Sequence, residues 1–198
     1  MKKILLIYFL SFHAISELTL EITQGTEDPY RVAIIKFSGA DKVTADIQKV
    51  VFDNLLRTGE FTIFNNEDLL SIPQIEEDIV FNDFRILDID YLVMGKVEDD
   101  GLNIAVEYQV FDISKAKKIR TSTVYGIPNK NRQLAHYVSD GIYQEITGIP
   151  GIASTKILYV TEDNNFKLLI SDADGSNEQV LLESTEPIIS PSWSPDSK

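Results

Sequence analysis

Between Thr147 and Lys156 the hydrophobic rhythm of this chain changes, and no single layered core accommodates both halves. Upstream, apolar residues recur at helical spacing between short apolar runs. Downstream they come in three short runs separated by turn residues. Pro150 and Gly151 mark the break, because proline cannot continue a helix and glycine admits a turn.

The upstream half opens with Arg31 to Phe37, an almost continuous apolar run of strand length, as expected of a strand buried on both faces. Asp46 is placed to cap a helix carrying Ile47, Val50, Val51 and Leu55, which Thr58 and Gly59 end. Phe61 to Phe64 reads as the next strand, Asn82 to Leu87 as a short helix, and Tyr91 to Val97 as a further strand. Leu102 to Phe111 and Lys118 to Tyr125 form a hairpin around Ser114 to Lys117. A last helix spans Asn131 to Thr147, with Leu134, Val138, Ile142 and Ile146 along one stripe and Gly148 as its stop. The order β-α-β-α-β-β-β-α predicts a two-layer α/β domain with a mixed sheet over residues 29–150.

In the downstream half, Lys156 to Val160, Lys167 to Ser171 and Glu178 to Leu182 are short strands, with a tight turn at Asp172 to Gly175. Ser190 to Asp196 then carries Ser-Trp-Ser-Pro-Asp, with Trp193 the sole tryptophan. Residues 155–198 have the length of one β-propeller blade, left incomplete. A lone blade cannot bury its own faces, since each repeat of such an architecture needs neighbours. Trp193 is expected to fill the seam between adjacent sheets. The predicted fold class is therefore an α/β domain followed by an incomplete β-propeller of about one blade.

The first residues read as an export signal. Lys2 and Lys3 precede the apolar run Ile4 to Phe12, and Ala14-Ile15-Ser16 offers a small-x-small cleavage site. The run is too short for a spanning helix, which needs ~20 apolar residues. Residues 1–16 are thus expected to be removed, leaving a chain that begins at Glu17. Cysteine is absent, so there is neither a disulfide framework nor a residue for lipid attachment. A periplasmic monomer without direct membrane insertion is expected. The net charge of −13 argues against nucleic acid as a partner, which demands a basic face. The runs Glu76-Glu77-Asp78 and Glu98-Asp99-Asp100 read as solvated loops.

Glu17, Leu18, Thr19, Leu20, Glu21, Ile22, Thr23, Gln24 and Gly25 form a strand-capable segment at that new N-terminus. Leu18, Leu20 and Ile22 point one way, and the polar residues between them the other. A polar hinge through Pro29 separates it from the body, so residues 17–28 are read as an N-terminal extended segment. It could dock as an edge strand or serve as the first strand of the domain.

Motifs for chemistry are missing. The chain has no Gly-x-Ser-x-Gly elbow, no His-Glu-x-x-His and no phosphate loop. His136 would be the sole histidine after removal of residues 1–16, and a lone helical histidine is more often packed than catalytic. Asp172, Asp174 and Asn177 faintly resemble a calcium loop but lack its spacing and terminal glutamate, so a hairpin turn is expected there. No catalytic residue, cofactor or metal site is expected.

One run is specific: Ala135-His136-x-x-Ser139-Asp140-x-Ile142-Tyr143-x-x-Ile146-Thr147-Gly148-x-x-Gly151, continuing into Thr155-Lys156-Ile157-x-Tyr159-Val160. Ser171-Asp172-x-Asp174-Gly175-x-Asn177 and Trp193-Ser194-Pro195-Asp196 follow in order, and Leu20-Glu21-Ile22-Thr23-x-Gly25 and Thr58-Gly59-x-Phe61 precede. In these residues the chain resembles the TolB family of the Tol-Pal envelope system over almost its whole length. Departures are Lys36 for a usual proline, Asn54 for aspartate, Phe84 for tryptophan, and Asp88 and Ser197 for glycines. The resemblance implies a non-enzymatic periplasmic scaffold that supports outer-membrane integrity and constriction at division. It implies two partners: TolA, met by the mature N-terminal segment, here Glu17 to Gly25, and Pal, met by propeller blades expected beyond Lys198. The competing expectations are the front part of a propeller-containing peptidase whose hydrolase lies downstream, or a stand-alone α/β adaptor.

Overall fold

The computed structural model describes residues 28–39 and 41–195. The leader expected at 1–16 and the segment Glu17 to Gly25 lie outside the described residues. Among the described residues the fold comprises a six-stranded mixed sheet with helices and a separate three-stranded sheet.

In the first sheet the order is β3-β1-β4-β5-β6, where β1 is Tyr30–Ile34, β3 Phe61–Phe64, β4 Tyr91–Asp99, β5 Ile104–Asp112 and β6 Lys117–Gly126. A two-residue strand, β2 (Ser38–Gly39), pairs with the far end of β4. β1 runs parallel between β3 and β4, whereas β4, β5 and β6 form an antiparallel meander. The continuous apolar run explains the central position of β1. Val32 and Ile34 face one apolar cluster, and Ala33 and Ile35 face another on the opposite side of the sheet.

The larger cluster lies under helices α1 (Asp41–Arg57) and α3 (Asn131–Thr147), whose stripes Ile47-Val51-Leu55 and Leu134-Val138-Ile142 are buried. The second is covered by the short helix α2 (Phe81–Ile86), with Phe84, Ile89, Leu92 and Phe111 at its centre. Each fully buried side chain of this size contributes roughly 1.5–3 kcal/mol.

One local reading changes, and two departures from the family pattern find their place. α1 begins at Asp41 and not after Asp46, because Val43 already packs against the core on the stripe of Ile47. Lys36 follows the end of β1, where its side chain is exposed and its N–H donates to Asn66 Oδ1 at 3.1 Å. The charge therefore never enters the sheet. Asp88 adopts φ 53°, a left-handed conformation that aspartate tolerates better than most residues and that suits the family's usual glycine.

The second sheet is a meander of β7 (Lys156–Glu162), β8 (Phe166–Asp172) and β9 (Gln179–Ser184). Its middle strand is the best covered, with Leu169, Ser171 and Asp172 buried. On β9, Val180, Leu181 and Leu182 are each more than half exposed, at 52–53%. Trp193 is 43% exposed, so within the described residues it fills no seam between sheets.

Candidate functional site

The two sheets meet at a polar junction built on one face of α3. Arg132, His136 and Asp140 recur there every four residues, which stacks them along one side of the helix. Gly148 ends α3 with φ 75°, its N–H bonding the carbonyl of Gln144 at 2.9 Å. The chain then doubles back along the helix. Asp140 receives it: its Oδ1 accepts the N–H of Ala153 at 2.7 Å, and its Oδ2 that of Ser154 at 2.9 Å. Gly151 passes so close that a Cβ there would lie 2.4 Å from Asp140 Oδ1 and 2.5 Å from the Asp140 backbone. The approach needs a residue without a side chain.

His136 is 2% exposed at the centre of the junction. Its Nδ1 lies 2.9 Å from Asn54 Nδ2 of α1, and the same amide nitrogen donates to Ser139 Oγ at 2.9 Å. Arg57 fixes which way that amide points. A guanidinium can only donate, and Arg57 donates to Asn54 Oδ1 at 3.0 Å. The –NH₂ therefore faces the imidazole, Nδ1 must accept, and the ring proton sits on Nε2. Nε2 points between two carboxylates, 3.6 Å from Asp172 Oδ2 and 3.7 Å from Asp174 Oδ2, too far to bond either.

Those carboxylates belong to the end of β8 and the turn after it, and each is already engaged. Lys156 pairs with Asp172 Oδ1, and Asn177 Nδ2 donates to Asp172 Oδ2 at 2.6 Å. Arg132 pairs with Asp174 Oδ2, and the Ser176 N–H donates to Asp174 Oδ1 at 2.9 Å. Burial pushes both carboxyls up, but the cations and donors around them more than offset it and hold both below the usual aspartate range. For His136, burial is the largest influence and lowers its pKa. Asp174 and Asp172 pull it up, Arg132 and Arg57 push it down, and the balance stays below the ordinary value.

His136, Asp172 and Asp174 bring three potential ligand atoms within 4.8 Å of one another. They suit a metal poorly. Both facing oxygens are occupied, by Asn177 and Arg132, and Nε2 carries a proton. Lys156 and Arg132 already balance the two negative charges. A divalent ion would leave an excess of buried positive charge. Nucleophilic chemistry fits no better, because Ser139 donates its hydroxyl proton to the Ala135 carbonyl at 2.7 Å and not to the imidazole. The arrangement joins elements mechanically.

A cleft of about 310 Å³ lies beside the junction, lined by Arg57, Glu60, Asp140, Tyr143 and the returning chain from Ile149 to Ala153. Tyr143, in its lining, donates to Glu60 Oε1 at 2.9 Å with its ring edge-on to Phe61.

The residues predicted as a binding segment, Glu17 to Gly25, lie outside the described residues, so the junction neither includes nor excludes them. From sequence, His136 reads as a packed histidine and Asp172, Asp174 and Asn177, separately, as a hairpin turn. The structure brings all four together. Arg132, Asp140, Asn54, Arg57 and Lys156 had not been singled out as partners. The available signal was the repeat of Arg132, His136 and Asp140 along a helix whose opposite stripe is apolar.

Comparison with known proteins places these residues in context. Residues 18–119 match a family model described as the TolB amino-terminal domain, and residues 143–198 one described as the TolB beta propeller domain. The chain is 38% identical over 189 residues to Tol-Pal system protein TolB of Alcanivorax borkumensis, covering 92% of this chain and 43% of that protein. It is also 38% identical over 188 residues to the protein of that name from Nitrosococcus oceani, covering 90% and 43% respectively. The crystal structure of TolB from Acinetobacter baumannii superposes with a TM-score of 0.78 at 31% identity, covering 90% of this chain and 44% of that one. The chain thus spans under half the length of the curated relatives it matches.

Proposed function

The chain belongs to the TolB family, and on that premise we propose that it acts as a non-enzymatic periplasmic scaffold of the Tol-Pal system. The observation that carries this is the likeness to proteins named for that system, at 38% identity across 92% of the chain. Nothing about the junction calls for catalysis; it fastens a propeller-like sheet to an α/β body. Among the described residues no helix is long and apolar enough to cross a membrane. We divide the chain into a leader at 1–16, an extended segment at 17–28, an α/β domain at 29–150 and a first blade at 155–198.

In this reading Glu17 to Gly25 present an alternating strand to TolA. Backbone hydrogen bonds supply affinity, and Leu18, Leu20 and Ile22 set the register. Pal is the partner of the propeller, and no residue of this chain is assigned to it. Together the two contacts would link an energised inner-membrane protein to the outer envelope and support its integrity and its constriction at division.

A pull-down with the C-terminal domain of TolA tests the segment, comparing a chain that begins at Glu17 with one lacking residues 17–25. Loss of the segment should reduce retention at least about tenfold, as expected when the strand supplies the backbone bonds. Equal retention of both would remove TolA from this segment.

A further inference from the structure

We propose that His136 is an acid-releasable latch, holding the β7–β9 sheet against α3 only while its ring is neutral. The argument begins at Arg57, a permanent donor. It fixes the Asn54 amide with Oδ1 toward itself and Nδ2 toward the imidazole. A second proton on His136 would have to enter at Nδ1, the atom that already accepts from Asn54. Donor would then face donor at 2.9 Å. Turning the amide over brings no relief, because its –NH₂ would then meet the Arg57 guanidinium.

The charges around the ring point the same way. α1 contributes Arg57, α3 contributes Arg132, and the second sheet contributes Asp172 and Asp174 with Lys156 on the former. Two carboxylates already serve two cations, so an imidazolium would be a buried surplus of positive charge. When the second sheet lifts away, the ring meets water and can take its proton freely. Protonation therefore favours separation.

The pH window follows from the shifts. Burial holds the docked His136 below its ordinary value of 6.5, so its contribution to docking is complete above that value and is lost as the pH falls below it. Asp172 and Asp174 stay charged across the same window, because both are held below the ordinary aspartate value. A response between pH 7 and 5 thus belongs to the histidine.

Amide hydrogen exchange on the full chain, corrected for the intrinsic effect of pH, reads the latch at Ala153 and Ser154, whose N–H groups bond Asp140. Their protection should fall from pH 7 to 5 by up to about 25-fold, the limit for one site with an unhindered pKa near 6.5. Amides of β4 and β5 should not change. His136→Gln should abolish the response. Asn54→Asp places an acceptor against Nδ1, so the ring keeps its second proton when docked, and the fall in protection between pH 7 and 5 should shrink or reverse. Protection of β4 and β5 reports whether each variant has folded. Nitrogen chemical shifts of the ring provide a second reading: Nδ1 bare and Nε2 protonated at pH 7.5. A flat profile in the parent, an unchanged profile in His136→Gln, or the opposite tautomer would overturn the proposal.

Discussion

The α/β body and the three-stranded sheet carry similar apolar residues, yet they solve the burial problem differently. In the body, two apolar clusters lie on opposite sides of a sheet with helical cover, and Val32, Ala33, Leu92 and Val93 are inaccessible to solvent. In the second sheet, Leu169 is well buried, whereas Val180, Leu181 and Leu182 on β9 stay largely exposed. Both segments have strand-forming sequences. A layer to pack against is what separates them, since three strands gain independent stability only from a covered apolar face.

The strongest way to break this comparison is to separate the two regions. Residues 28–150 expressed alone should keep cooperative unfolding. Residues 155–198 alone should exchange their amides without protection or aggregate through unpaired edges. Equal protection in an isolated 155–198 peptide would show that the sheet needs no neighbour.

Single substitutions sharpen the same contrast. Phe84 is 1% exposed in the second cluster of the body, and Phe84→Ala should cost about 3–5 kcal/mol in denaturant unfolding. Leu181→Ala on the open strand should change stability by less than about 0.5 kcal/mol. A large effect at Leu181 would place an unseen layer over β9.

A smaller effect concerns acid. Asp112, at the end of β5, is pushed up by burial. Its bonds from Lys115 and Ser114 prevail and bring its pKa down to about 2 from an ordinary 3.8. Its stabilising contribution is present above that ordinary value and lost as the pH falls toward 2. Asp112→Ala should therefore cost about 2 kcal/mol at neutral pH, with the difference from the parent closing between pH 4 and 2. Acid titration of unfolding midpoints for the two proteins checks this, and a difference that persists at pH 2 would assign the loss to packing.

Much of the fold was legible in the sequence because periodicity reports which faces need cover. The apolar run at Val32 to Ile35 announced a strand buried on both sides, and the stripe from Leu134 to Ile146 announced α3 with its glycine stop. Strand order was not legible: the parallel placement of β1 between β3 and β4 depends on contacts between segments far apart in sequence. The junction was missed for a related reason. His136 and Asn54 are 82 positions apart, and neither has a local pattern that announces the other. Asn54 stands out in the sequence as a departure from the family, but nothing near it in the chain reveals its contact with the imidazole.

The sequence by itself determined two regions with different hydrophobic periods, the break at Pro150 and Gly151, and the family to which both belong. These are local properties, carried by spacing and turn chemistry within a few residues. The tertiary structure alone decided that Arg57, through Asn54, sets the tautomer of His136, and that this histidine faces two carboxylates from the other sheet. Whether a buried polar group holds a joint together depends on what the folded chain places around it, because desolvation and hydrogen bonding act through space.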